Sequence, residues 1–356
     1  MTQTAVPNVY ASGRLAKPAP WLILAGSMVI SFASFALLAA AGATDGINIT
    51  GAVIIGALLY AVLLFVSSLF VEGTRRAKDR VITTLVSAAF LVALAPLISL
   101  VATVIVNGSA RFDATFFTWS MRNIVGEGGG FIHAIVGTVL MTLTATLISV
   151  PVGLLTSIYL VEYGRGALAR AITFLVDVMT GIPSIVAGLF AYALFALIFG
   201  PGTKIGLAGA VSLAVIMIPV VVRSSEDMLK VVPNELREAA LALGVPRWLM
   251  IIKVVLPTAI AGITTGIMLA VARVIGETAP LLIAAGFTNN MNYSLLEGRM
   301  QSLPVAVYNS YVSQGLEAQA YLDRAWAGAL TLILIVMLLN IVARIIARYF
   351  APKSGR

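Results

Sequence analysis

The chain has 356 residues, of which 60% are hydrophobic and only 11% charged, and its mean hydropathy is +1.02. An ordinary soluble domain carries about 25% charged residues, so this composition excludes a soluble domain on one anchor and indicates an integral membrane protein. With no cysteine and one histidine, disulfides, thiolate chemistry and multi-histidine metal sites are excluded as well.

In chain order, residues 1–20 are polar and proline-bearing and read as a tail. Eight apolar stretches follow, at about 21–41, 52–71, 82–106, 132–160, 172–199, 205–222, 258–287 and 327–348. Each is long enough for a hydrocarbon core of roughly 30 Å. The first lacks a signal-peptide cleavage site and is expected as a retained span. The stretch 258–287 is too long and too charged for one straight helix, so a break is expected near Gly276 and Pro280. Residues 349–356 form a second tail. The expected class is all-α, a polytopic transmembrane bundle.

Charge placement orients the bundle. Seventeen of the 23 Lys and Arg fall in 1–20, 72–81, 161–171, 223–257 and the C-terminal end from Arg344, five fall in the opposite loops, and Arg273 lies inside a span. This bias predicts both termini in the cytoplasm. It also assigns the net charge of +8 to membrane orientation and not to nucleic acid. Of the outer loops, 107–131 and 288–326 are long. The run Gly126–Gly130 reads as a flexible turn without the Lys-Ser/Thr of a phosphate loop. No Gly-x4-Gly-Lys-Ser/Thr motif occurs, so ATP hydrolysis would belong to a separate subunit.

A polar island occupies 223–257. Within it Asn234 can cap a helix, and Glu235 and Glu238 suit its positive first turn. Gly244 suits the left-handed residue after it, and Pro246 stops it. Leu236, Ala239, Ala240 and Leu243 recur at helical spacing on one apolar face. About nine residues fall short of the roughly 12–15 that are already marginal for a helix alone in water. The segment needs a surface, either as a hairpin lying on the spans or as a docking element.

Few ionisable residues lie within spans: Asp177, Arg273, Glu277 and the near-terminal His133. An arginine at mid-membrane costs about 2.5–3.5 kcal/mol. Arg273 and Glu277, four apart, can pair, either as a structural ion pair or as a charged wall on an anion route. Gly276, Thr278 and Pro280 favour a local break that aims backbone N–H groups into a cavity. Asp177 is expected to pair with Arg170 or Arg223, and His133 to be interfacial. The run Gly181–Phe190 weakens a span and offers the Ser184 hydroxyl. Gly262 and Gly266 are spaced for a close helix approach.

Glu238-Ala239-Ala240, then Gly244, then Val254-Val255-Leu256-Pro257 resembles the EAA loop of ABC importer permeases, with Val254 in place of Ile. The resemblance implies that this loop is a coupling helix in a groove of an ATPase, with Leu236, Glu238, Ala239, Ala240, Leu243 and Gly244 as its contact set. The runs Gly181–Phe190, Ala272–Leu282 and Arg324–Leu330 resemble the A-type permease subunits of Pst phosphate importers, over roughly 115–356. That similarity implies a type I ABC importer permease core of six spans over 82–348, with 21–81 adding two more. It implies a prokaryotic inner membrane, a C-type permease partner, two ATPase copies that bind ATP and Mg, and an external phosphate-binding protein. It implies no cofactor and no catalytic residue in this chain. Arg273 and Glu277, with Thr278 and Ser184, would line the substrate path. The alternative substrate is another oxyanion such as sulfate. A channel or intramembrane enzyme is disfavoured, since no paired acid–base constellation is present.

Overall fold

The computed structural model describes residues 13–42, 46–315 and 317–350, without the side chains of 347, 349 and 350. The outer parts of both expected tails, 1–12 and 351–356, lie outside the described residues. The chain forms two compact units, Met1–Val101 and Ala102–Arg356. Among the described residues every regular element is helical.

In the first unit α1 (Ala19–Ala40) packs along α2 (Ile49–Glu72), and α3 (Thr74–Gly108) begins two residues later. Asn48 Oδ1 accepts from Gly51 N at 2.8 Å and caps α2. At the other end of α2, Glu72 is buried and fully used. It accepts from Arg80 Nε at 2.5 Å and Nη2 at 2.9 Å, from Ser68 Oγ at 2.8 Å and from Leu15 N at 3.0 Å. The stretch before α1 is therefore tied to the helix ends at Leu15.

The second unit continues with α4 (Ala114–Thr118), α5 (Ile132–Ile158), α6 (Gly166–Gly181), α7 (Ser184–Phe199), α8 (Gly206–Val231), α9 (Asn234–Ala242), α10 (Arg247–Met250), α11 (Leu256–Val274), α12 (Ala279–Ala284), α13 (Leu303–Val312) and α14 (Ala318–Phe350). Helix α8 is its axis and packs against α5, α6, α7, α11 and α12. The core around it holds Met141 and Ala145 of α5, Leu213, Met217 and Val221 of α8, and Ala270 and Val274 of α11. Gly262 and Gly266 face α8. A Cβ on Gly266 would sit 2.5 Å from Ser224 Oγ, and one on Gly262 would strike Met228. The small-residue pair therefore sets the α8–α11 approach.

Among the described residues, seven helices are long and apolar enough to cross a membrane. The stretch expected as one span over 172–199 is broken instead: α6 and α7, 16 residues each, meet at 109°. Pro183 has no N–H and holds Ile182 extended (ψ 130°), so the helix cannot run through. At about 1.5 Å per residue each half is shorter than the roughly 30 Å core. The break expected near Gly276 is present, since α11 ends at Val274 and α12 starts at Ala279.

One expectation for the loop side fails. His133, the second residue of α5, is 3% exposed and lies inside the fold. The Gly126–Gly130 run is not a free turn. Its carbonyls are gripped by two arginines: Arg324 Nη1 donates to Gly126 O at 2.6 Å and Gly128 O at 3.0 Å, and Arg111 Nη2 to Gly129 O at 2.8 Å.

Candidate functional site

The polar island folds as the short helix α9 followed by α10. Asn234 is its first helical residue and does not cap it; its Oδ1 accepts from Arg237 Nη1 at 3.3 Å instead. The C-terminus forms the expected stop. Gly244 has φ +78°, Gly244 N donates to Leu241 O at 2.9 Å, and Val245 N donates to Ala240 O at 3.2 Å. These two bonds are the paired closure that a left-handed glycine allows.

The apolar face of α9 is divided. Ala240 is buried against Leu229, Val232, Met250 and Ile251, which seats the helix on the bundle. Leu236 is 42% and Leu243 84% exposed, and Glu238, Ala239 and Gly244 are exposed beside them. Five of the six expected contact residues thus share an open surface, while Ala240 holds it in place.

Arg237 locks this helix and was counted in the sequence only as a cytoplasmic charge. Its Nε donates to Glu162 Oε1 at 3.0 Å, in the wide turn Tyr159–Tyr163 that follows α5. Its Nη2 donates to Leu229 O at 2.8 Å, and its Nη1 also to Val232 O. Both ends of the ion pair are largely out of water. One guanidinium thereby satisfies the carbonyls at the end of α8 and fixes α9 to two other elements. A second network lies nearby: Asp177 of α6 pairs with Arg223 of α8, and Glu226 bridges Arg223 at 2.9 Å and Lys230 at 2.7 Å. Of the two expected partners of Asp177, Arg223 is the one used.

Within the spans, the two unusual runs of sequence meet. A Cβ on Gly188 of α7 would lie 2.5 Å from Pro280 Cα, so only glycine lets α7 touch α12 there. Arg273, one residue before the end of α11, is exposed on one side. On the other it lines a cavity of about 20 Å³ with Thr180 and Ile182 of the α6 end and Pro219 of α8. The cavity holds at most one water. Glu277 forms no ion pair with Arg273. The helix has already ended, and Glu277 N closes a tight turn on Val274 O at 3.2 Å, so the two residues no longer share a helical face. Thr278 precedes α12 without capping it, and Ser184 opens α7, half-buried and outside the Arg273 cavity.

The family model for the binding-protein-dependent transport system inner membrane component matches residues 149–356. This chain belongs to that family. The match covers every element from the end of α5 onward, and with it both α9 and the break beside Arg273. Among curated relatives of this permease, phosphate transport system permease protein PstA 1 of Mycobacterium tuberculosis H37Rv is 43% identical over 285 residues, 79% of this chain and 91% of that protein. The phosphate transport system permease protein PstA of Pasteurella multocida is 41% identical over 281 residues, 79% of this chain and 97% of that protein. Solved permease structures share the fold. The inward-facing MetNI methionine ABC transporter aligns with a TM-score of 0.52 and 19% identity, over 62% of this chain and 96% of that chain. A bacterial ABC transporter for the acidic polysaccharide alginate aligns with a TM-score of 0.52 and 15% identity, over 78% and 99%. The protein is accordingly a multi-pass inner-membrane permease subunit of an ABC transporter, with a type I importer core.

Proposed function

We propose that this permease imports inorganic phosphate. It forms half of a translocation path completed by a second, C-type permease subunit. Two copies of a separate ATPase, which bind the ATP and Mg, drive it, and an extracytoplasmic phosphate-binding protein feeds it. The observation that carries the substrate is the identity to phosphate transport system permeases over nearly their whole length. Residues 1–20 and 349–356 are cytoplasmic tails, 21–81 two additional spans, and 82–348 the permease core, with α6 and α7 together making one crossing.

The open face of α9 is the ATPase contact: a rigidly held helix that leaves Leu236 and Leu243 in water is suited to a groove of complementary apolar shape. Arg273 is a transient contact for phosphate, which carries one to two negative charges near neutral pH. A cation and hydrogen-bond donors offset the cost of bringing that charge into a low-dielectric path. Glu277, Thr278 and Ser184 flank the same region.

Reconstitution of the permease with its partner permease, ATPase and binding protein tests the reading. ATP-dependent accumulation of labelled phosphate, with none of sulfate, is expected. Sulfate accumulation in its place would assign the path to another oxyanion, and ATP-independent flux would make it a channel.

A further inference from the structure

A second polar site lies in the same unit, away from Arg273 and α9, and no role has been assigned to it. It is a cavity of about 240 Å³ between the start of α5, α13 and the segment before it, and the start of α14. His133, Gln301, Asn309, Ser310 and Tyr321 line it, with Phe131 and Phe287 as apolar walls, and no carboxylate does. Four buried polar atoms there make no close hydrogen bond: His133 Nδ1 and Nε2, Gln301 Oε1 and Asn309 Nδ2, with the Gln301 side chain lying beside the imidazole. His133 is 3% and Gln301 5% exposed. A buried polar group without a hydrogen bond is destabilising, so these atoms gathered at one cavity indicate a polar occupant. Water takes about 30 Å³ in the liquid, and the cavity has room for several waters or one tetrahedral oxyanion.

The chemistry of the wall selects among occupants. Asn309 Nδ2 donates, Gln301 Oε1 accepts, and a neutral imidazole does one of each. A ligand matching this set must both accept and donate. Phosphate near neutral pH does so because it keeps a proton; sulfate only accepts. The residue before Phe287 lies against the stems of two cations. Gly286, at φ +75°, is approached by two cations, such that a Cβ there would meet Lys204 Cδ at 3.2 Å and Arg299 Cδ at 3.3 Å. Neither cation forms an ion pair among the described residues, and Arg299 lines a neighbouring cavity together with Glu297.

We propose that this cavity is a receiving site for hydrogen phosphate, on the side of the permease that the charge bias assigns to the exterior. The site rests on the phosphate reading above and adds discrimination by proton donation: Gln301 takes the P–OH hydrogen bond, while Asn309 and the His133 N–H hold the anionic oxygens.

Because the chain has no cysteine, a thiol probe can be placed in the cavity. Ser310→Cys, and Ser313→Cys at the rim, are made in the assembled complex in cells washed free of binding protein, and an impermeant maleimide is added outside. Inorganic phosphate is expected to slow labelling, and sulfate at the same concentration to leave it unchanged. Asn309→Asp, which swaps the donor for a carboxylate of the same shape, is expected to raise the half-protecting phosphate concentration at least tenfold at unchanged complex yield. Labelling indifferent to phosphate, equal protection by sulfate, or no labelling of either cysteine from outside would each overturn the site. Labelled-phosphate uptake by the same cells, with binding protein restored, reports separately. Uptake without protection removes this cavity alone, and absence of uptake removes the phosphate function.

Discussion

Arg237 of α9 and Glu162 of the wide turn after α5 are joined at 3.0 Å across 75 positions of sequence. The pair sets the angle at which α9 stands off the bundle, because the same guanidinium also holds the end of α8. Arg237→Ala leaves the Glu162 carboxylate buried without its partner, and removal of one member of a buried pair costs about 3–5 kcal/mol. The expected outcome is a complex that still hydrolyses ATP but moves less phosphate per ATP, by about tenfold or more, equivalent to about 1.4 kcal/mol. Glu162→Gln keeps an acceptor and is expected to lose less. Uptake and hydrolysis measured together in membranes decide it; an unchanged ratio in Arg237→Ala removes the positioning role.

Gly244 ends α9 at φ +78°, a conformation that costs an ordinary residue about 1–2 kcal/mol and a β-branched one more. In Gly244→Val the two closing bonds to Leu241 O and Ala240 O are expected to break, turning the Leu236–Leu243 face. Co-purification of the ATPase should then fall several-fold. Gly244→Asn, which tolerates the left-handed region, should retain most of it. Equal ATPase recovery in both variants would show that the turn does not orient the contact.

What was legible in the sequence was what neighbouring residues decide. Gly244 and Pro246 stop a helix by their own backbone chemistry, and the Gly276–Pro280 segment cannot continue one, so both ends were placed from local signals. The small residues Gly262 and Gly266 announced a close contact without naming Met228 and Ser224 as what they contact. Where the partner is distant the reading failed. Arg237 looked like an orienting charge and the Gly126–Gly130 run like a free turn, because Glu162 and Arg324 are brought to them only by folding. Pro183 was visible, but a proline in a span can be absorbed as a kink; that α7 also packs through Gly188 on Pro280 of α12 is a distant contact the local sequence does not name.

That bend carries a topological test. If α6 and α7 form one crossing, Ala167 in the first turn of α6 and Pro201 after α7, both exposed, lie on opposite sides of the membrane. Ala167→Cys is expected to react with an impermeant thiol reagent only after permeabilisation. Pro201→Cys and Asn290→Cys should react in intact cells. Labelling of positions 167 and 201 from the same side would make the pair a re-entrant loop and place the two termini on opposite sides.

The last prediction concerns Arg273. Nothing in the packing requires a cation there: it forms no ion pair among the described residues and stands exposed beside a cavity that holds at most one water. Glu277, four residues on, has been turned away by the end of α11. A structural ion pair would make Arg273→Ala fail to assemble and Glu277→Gln restore it. The geometry leaves no such pair to rescue, so Arg273→Ala is expected to assemble at normal yield, alone or with Glu277→Gln. Both variants should hydrolyse ATP and lose phosphate uptake by about a hundredfold, equivalent to about 2.8 kcal/mol. Arg273→Lys should recover only part of it, since an ammonium keeps the charge but not the planar fork that grips a tetrahedral oxyanion through two parallel bonds. Uptake, hydrolysis and complex yield measured on the same membranes separate the two accounts. Wild-type uptake by Arg273→Ala would remove the residue from the path, and rescue of assembly by the double variant would make it structural after all.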